Sequence, residues 1–160
     1  MRKLILPALL FCLLSGCGKL PMTQQPLEPA IPSTSYADMK KATYPSGKQP
    51  ELAGEYYHGD GLGMNLSLIL LSKGGYSLTW RGCQGLNGTA VGTWKFADGE
   101  LFLTPTEEEG TLKEHPIRHM DVLLFKGSYI FVRDSEREVF LQQGPRKTTC
   151  YMPTAFLLLQ

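Results

Sequence analysis

The chain has 160 residues, with 16 Lys+Arg against 15 Asp+Glu, 42% hydrophobic residues, 17 Gly and 11 Pro, enough for one modest core and so for one domain. A formal charge of +1 with no long basic run excludes a nucleic-acid partner, whose phosphates demand a clustered Lys/Arg excess. The purely apolar stretches fall short of the ~20 residues that a helix needs to cross a bilayer, so a helical membrane span is excluded as well.

The first informative element is the N-terminus. Met1-Arg2-Lys3 is positive, Leu4 to Leu14 is apolar with one Pro, and Leu14-Ser15-Gly16-Cys17 follows. This is the pattern of a secretory signal over residues 1–16. Its last four residues resemble the lipobox of bacterial lipoproteins, in which small residues admit the chain to a peptidase and the Cys thiol receives diacylglycerol. The resemblance implies that Cys17 is the lipidated first residue of the mature protein and that the membrane is a partner through this anchor. One acyl chain binds a bilayer only reversibly, whereas two or three hold firmly. By the same resemblance Gly18, in place of Asp, favours the periplasmic face of the outer membrane of a Gram-negative cell, with a Gram-positive surface as the alternative.

Loss of the leader takes Arg2 and Lys3 from the 16 basic residues and leaves 14 against 15 acidic ones, a mature charge of −1. Little electrostatic steering is expected at that charge. Cys12 departs with the leader and Cys17 is acylated, so Cys83 and Cys150 remain. In an oxidising envelope they are expected to form a disulfide worth about 4 kcal/mol on the chain-entropy model; the alternative is two unpaired thiols, with Cys83 as a reactive one in its Gly-rich turn.

Residues 17–50 carry prolines at 21, 26, 29, 32, 45 and 50 among Thr, Gln, Ser and Lys. They read as a lipidated Cys followed by a disordered Pro-rich spacer with a reach of about 30 Å or more. A short helix at Ser35 to Lys41 has no long apolar stripe to support it.

From Leu52 the apolar period becomes two. Strands are expected at Gly54 to His58, Leu62 to Leu70, Tyr76 to Arg81, Thr89 to Phe96 and Leu101 to Thr104, the last stopped by Pro105. Turns fall at Gly59-Asp60-Gly61, Ser72 to Gly75 and Ala97-Asp98-Gly99-Glu100, with a Gly-rich corner over 82–88. After an acidic loop at Glu107, Glu108 and Glu109, further strands are expected near Arg118 to Phe125, Ser128 to Arg133 and Val139 to Gln142, with a last one at Cys150-Tyr151. The fold class is therefore all-β over 51–160: a small antiparallel barrel or strongly curled sheet of about eight short strands, since closure removes exposed edges.

A weak repeat supports this. Gly54-x-Tyr56 before Asp60-Gly61 matches Gly92-x-Trp94 before Asp98-Gly99, and Gly127-x-Tyr129 echoes both. Leu52-x-Gly54-x-Tyr56, the Gly92-x-Trp94 hairpin, Gly59-Asp60-Gly61-x-Gly63-x-Asn65 and Trp80-x-Gly82-Cys83-x-Gly85 resemble the small lipocalin-like or META-like β domains of bacterial lipoproteins, over residues 52–105. Tyr56 stands where lipocalins usually carry Trp.

Candidate chemistry is sparse. Gly59-Asp60-Gly61-Leu62-Gly63 has the glycines of a phosphate loop but precedes a strand rather than a helix, so a hairpin turn is the simpler reading. His115 and His119 are four apart with Pro116 between them. In a strand they share a face but lie too far apart for one zinc ion, so solvated loop histidines are expected unless His58 and Asp60 fold beside them. No Gly-x-Ser-x-Gly elbow marks a nucleophile, and the acidic run lacks the opposed environments that split two catalytic carboxyls. No metal, cofactor or catalytic set is assigned. Tyr56, Trp80 and Trp94, with Tyr76, Phe96, Tyr129 and Phe131, are at alternating positions that fill a core. Tyr56, Trp80 and Trp94 are also the candidate lining of a cup for a small amphipathic ligand. Arg81, Asn65 and Lys95 would face outward towards a protein partner.

The expectation is thus a non-catalytic, lipid-anchored envelope protein that presents a binding domain to the periplasm, its partner another envelope protein or a small amphipathic ligand. The alternatives are an inhibitor or immunity protein against a cell-wall hydrolase and a carrier of an apolar ligand.

Overall fold

Alternating leucines build the first half of the sheet. The computed structural model describes residues 51–157 together with Tyr36 and Met39; the leader, Cys17 and nearly all of the expected spacer lie outside the described residues. The strands are β1 (Gly54–Gly59), β2 (Asn65–Leu70), β3 (Gly75–Gly82), β4 (Gly85–Ala97), β5 (Glu100–Gly110), β6 (His119–Phe125), β7 (Ser128–Val132) and β8 (Met152–Pro153). Short helices accompany them at α1 (Thr111–Glu114), α2 (Arg137–Gln143), preceded by a 3₁₀ turn at Asp134–Glu136, and α3 (Thr154–Leu157).

The strands form one eight-stranded sheet in the order β7-β6-β5-β4-β3-β2-β1-β8. Every pairing is antiparallel. The sheet curls until its ends nearly meet: Phe131 of β7 exchanges both backbone hydrogen bonds with Tyr151, just ahead of β8. The result is the nearly closed all-β barrel that the period-two pattern implied. The β4–β5 hairpin turns at Asp98 (φ 50°) and Gly99 (φ 85°), both in the left-handed region that an Asp-Gly turn supplies.

Two apolar clusters hold the barrel. The inner one contains Leu52, Tyr56, Leu66, Leu68, Leu70, Tyr76, Leu78, Leu101, Leu103, Leu112, Met120, Phe131 and Tyr151. Each leucine taken fully from water contributes about 2 kcal/mol. Leu112, on α1, enters this cluster from the end of β5. The outer cluster contains Leu123, Phe125, Ile130, Val132, Cys150 and Met152, covered by Phe140 of α2 and by Met39, with Tyr36, Phe156 and Leu157 against it. β6 is therefore buried on both faces, Met120 and Val122 inward and Leu123 and Phe125 outward. Tyr36 and Met39 are helical, and Tyr36 packs edge-on against Phe140 with centroids 6.0 Å apart.

Three expectations are corrected. Pro105 does not stop β5, which runs to Gly110. A bulge between Val91 and Gly92 sets Gly92 opposite Pro105, and a Cβ on Gly92 would lie 2.1 Å from the Thr104 carbonyl oxygen. The acidic run is not a loop: Glu107, Glu108 and Glu109 lie in β5, opposite Val91, Ala90 and Thr89. Val139 to Gln142 is helix rather than strand, ended by Gly144 at φ 72°; only Phe140 is buried there, while Val139 and Leu141 stay exposed.

Candidate functional site

The barrel has a seam. β5 pairs with β6 only at Glu100, Phe102 and the Leu101 between them, opposite Asp121, His119 and Met120. Beyond Leu103, whose N–H bonds the Arg118 carbonyl at 2.7 Å, the remainder of β5 lacks a ladder partner on that side. Pro removes a donor and carboxylates repel strands, so Pro105 and the three glutamates protect this edge against foreign pairing. Next to it opens a cleft of about 610 Å³ lined by Glu114 to His119, ahead of and at the start of β6, and by Arg133, Asp134 and Ser135 after β7.

Three charged residues of the lining, Arg118, Arg133 and Asp134, make ion pairs with groups beside the cleft. Both guanidinium nitrogens Nη1 and Nη2 of Arg118 meet the two carboxylate oxygens of Glu108. That fork holds the Glu108 carboxyl below its ordinary range. Arg133 makes the same bidentate contact with Glu136 through Nε and Nη2, and Asp134 receives Arg137 Nη2 at 2.7 Å and His119 Nε2 at 3.3 Å. Arg137 also reaches buried Asp121 at 2.6 Å and donates from Nε to the Tyr36 hydroxyl at 3.2 Å. The bidentate geometry adds directionality to the Arg118–Glu108 and Arg133–Glu136 contacts.

Behind Arg133 lies a buried group. His58 of β1 is fully enclosed, with its Nε2 2.8 Å from Glu136 Oε1. That contact is close enough for an ion pair but lies off the line of the N–H, so it is not an aligned hydrogen bond, and Nδ1 has no partner. The imidazole packs beside the Tyr151 ring, centroids 5.0 Å apart. Burial works to raise the Glu136 carboxyl, but the Arg133 fork and the His58 contact overcome it and hold it at about 2. The Tyr151 hydroxyl, also unpartnered, is pushed far up by burial.

The three aromatic residues proposed to line one cup are spread along the barrel. Tyr56 is in the core, its hydroxyl donating to the Leu52 carbonyl at 3.0 Å and its ring 4.3 Å from that of Phe131. Trp80 pairs with Leu66 and Gly88 near one end of β3. Trp94 pairs with Leu103 and gives its Nε1 hydrogen to the Leu71 carbonyl, 2.9 Å away. From Gly88, opposite Trp80, to Trp94 is roughly 20 Å along β4 at ~3.4 Å per residue. The structure does not gather these residues around one opening.

The cysteines are a further correction. Cys83 and Cys150 are free thiols, Cys83 exposed and Cys150 buried. Cys83 follows β3 and contacts the Leu62 carbonyl, while Cys150 precedes β8 in the outer cluster. With β1 and β2 between β3 and β8, about three strand spacings or ~14 Å separate the two sites, twice the ~7 Å that a disulfide tolerates between Cα atoms. Burial pushes the Cys150 thiol up to about 12, so it is not a thiolate nucleophile at neutral pH.

His115 and His119 both line the cleft, whereas His58 and Asp60 do not join them. Asp60 Oδ1 accepts the backbone N–H groups of Leu62, Gly63 and Met64, which lowers its carboxyl and makes it the organiser of the β1–β2 turn. Asn65 Oδ1 accepts from Gly61 N and the Tyr57 hydroxyl in the same turn. Among the described residues, no cluster of three or more His, Cys, Asp or Glu is placed to hold a metal ion, no helix is long and apolar enough to cross a membrane, and no hydrogen bond joins Ser135 to a histidine. Sequence reasoning missed Arg118, Arg133, Glu136 and Phe102. Glu108 was visible only as part of an acidic run. Compared with protein-family models, curated proteins and solved structures, the chain matches none.

Proposed function

We propose that the chain is a lipid-anchored envelope protein whose non-catalytic barrel binds at its outer surface, not in its lumen. The observation that carries this reading is the filling of the lumen. Leu66, Leu68, Leu78, Leu101, Met120, Phe131 and Tyr151 point into it and are each under 2% exposed, which leaves an apolar passenger no room along the barrel axis and weighs against carriage. The hairpin turns are short, as at Asp98-Gly99 and Lys126-Gly127, and give no long plug of the kind that blocks a hydrolase cleft. What remains for recognition is the outer surface and the seam. The Leu14-Ser15-Gly16-Cys17 signature supports the anchor, with Cys17 as the acylated residue on the periplasmic face of the outer membrane.

Metabolic labelling with an alkyne fatty acid tests the anchor. The full chain is expected to take up label, and Cys17→Ser is expected to abolish it. Equal label in the two chains would overturn the proposal. Carriage is tested separately by adding long-chain fatty acids to the folded protein: no rise in Tm is expected, and a saturable rise would restore the lumen as the binding site.

A further inference from the structure

We infer that the outer apolar face of the barrel is a docking surface for this chain's own N-terminal segment, which Tyr36 and Met39 fasten to it as a clasp, and that opening the clasp lengthens the tether. The inference goes beyond the proposed binding role. The clasp stands on contacts of Tyr36 and Met39 with the barrel, while its effect on a membrane tether rests on the proposed anchor at Cys17.

The segment has little helix-forming strength of its own. Tyr36 and Met39 are both helical and, three residues apart, share one face. Pro32 and Pro45 bound any helix that runs through them, since proline is accepted only in a first turn and the residue ahead of it is held out of the helical region. At most about three turns remain, and an isolated helix of that length is marginal in water. The support that the sequence lacks comes from the barrel.

The barrel meets the segment with one apolar and one polar contact. Met39 is only 8% exposed and belongs to the cluster of Leu123, Phe125, Ile130, Val132 and Phe140. The Tyr36 ring packs edge-on against Phe140, and Arg137, three residues earlier on α2, takes the other end of that side chain. Its Nε donates to the Tyr36 hydroxyl at 3.2 Å, and its guanidinium carbon lies 5.4 Å from the ring centre, a cation–π distance. Arg137 is itself held by Asp121, 1% exposed, at 2.6 Å and by Asp134 at 2.7 Å. The barrel therefore positions the group that Tyr36 meets. A contact built chiefly on two side chains is small beside an eight-stranded sheet, and elements of that kind open before the fold as a whole does. With the clasp shut, the chain from Cys17 to Tyr36 spans at most about 65 Å; with it open, the span from Cys17 to Leu52, in the inner cluster, is at most about 120 Å.

Amide exchange of the full chain in mild detergent, read by mass spectrometry, tests the clasp without any substitution. Residues 36–41 are expected to exchange at least tenfold more slowly than in a synthetic peptide of residues 33–44, and faster than Val122 and Leu123 of β6. Exchange as fast as in the peptide would show that nothing is docked, and exchange as slow as in β6 would make the segment part of the cooperative core; either overturns the inference. Limited trypsin digestion adds a variant. Lys40 and Lys41 directly follow Met39, and Tyr36→Ala with Met39→Ala is expected to speed cleavage after them at least tenfold while cleavage after Lys19 is unchanged, because the protease reads the open population. Equal rates in the two chains would overturn the inference, as would protection that rises with protein concentration, which would place the clasp between two copies. Should the double variant unfold, Tyr36→Ala alone takes its place with the same outcomes. Acylation of Cys17 is read by its own label, so failure of the anchor and failure of the clasp are distinguishable.

Discussion

Replacing Glu136 with Gln isolates the ionic cluster that ties β1 to the turn after β7. The side chain is 14% exposed and its carboxyl is held at about 2 against an ordinary 4.5. A depressed carboxyl stabilises the fold above its unfolded pKa, and that contribution is lost as pH falls through the folded one. The depression of that carboxyl corresponds to roughly 3 kcal/mol at pH 7, and rather more than half of it is gone by pH 3. Glu136→Gln retains the shape but removes the charge opposite Arg133 and His58, so it should cost the folded protein about 3 kcal/mol at pH 7. Urea denaturation of wild type and variant at pH 7 and pH 3 measures both ends. The gap in stability should shrink from about 3 kcal/mol to about 1.4, because by pH 3 the carboxyl of the unfolded chain has taken up its proton while that of the folded protein is still largely ionised. A gap unchanged between the two pH values would refute the reasoning, because the loss would then come from packing and not from charge.

Two further outcomes follow from the thiols and the bulge. Under native conditions iodoacetamide should alkylate Cys83 and leave Cys150 untouched, since one is exposed and the other buried with its thiol pushed up to about 12; mass spectrometry should find both modified only after unfolding, without prior reduction. A disulfide-linked peptide of Cys83 and Cys150 in the native digest would contradict the arrangement. Gly92→Ala sets a Cβ 2.1 Å from the Thr104 carbonyl oxygen, a backbone contact that cannot swing aside. It should lower stability by at least about 2 kcal/mol and Tm by about 8 °C or more by calorimetry, and an unchanged Tm would show that the bulge yields.

Local pattern carried the strands and failed where the decision was non-local. The Asp98-Gly99 turn and the alternation of Leu66, Leu68 and Leu70 are properties of neighbouring residues, and they told the fold class. Val139, Phe140 and Leu141 form a short apolar run that fits either period, and length alone cannot choose between them. The choice is made by tertiary contact, as Phe140 turns into the outer cluster. Gly144, at positive φ just past the run, is the local signal of a helix end. Counting cysteines assumed that the two remaining thiols meet, which only the strand order could decide. The pairs Arg118–Glu108 and Arg133–Glu136 differ in the same way. The second is an i, i+3 contact that a sequence could have offered, but its significance depends on His58, which arrives from the opposite end of the chain.

The seam also explains why Pro105 and the acidic run, read from sequence as a strand stop and a loop, belong to a strand. A strand carrying Pro105 and three successive glutamates is a poor candidate for the middle of a sheet, and β5 is fully paired only along its β4 side. Had those positions been β-branched and neutral, β6 would have been free to zip along the whole of β5, or a foreign strand would have been free to add there. The charges prevent both, and Arg118 then neutralises Glu108 without restoring the ladder. One set of residues thereby guards the edge of β5 against strand addition and flanks the cleft beside it. The same reasoning gives Phe102 its place, at the last paired position before the strands part, where a large ring stays exposed against His119.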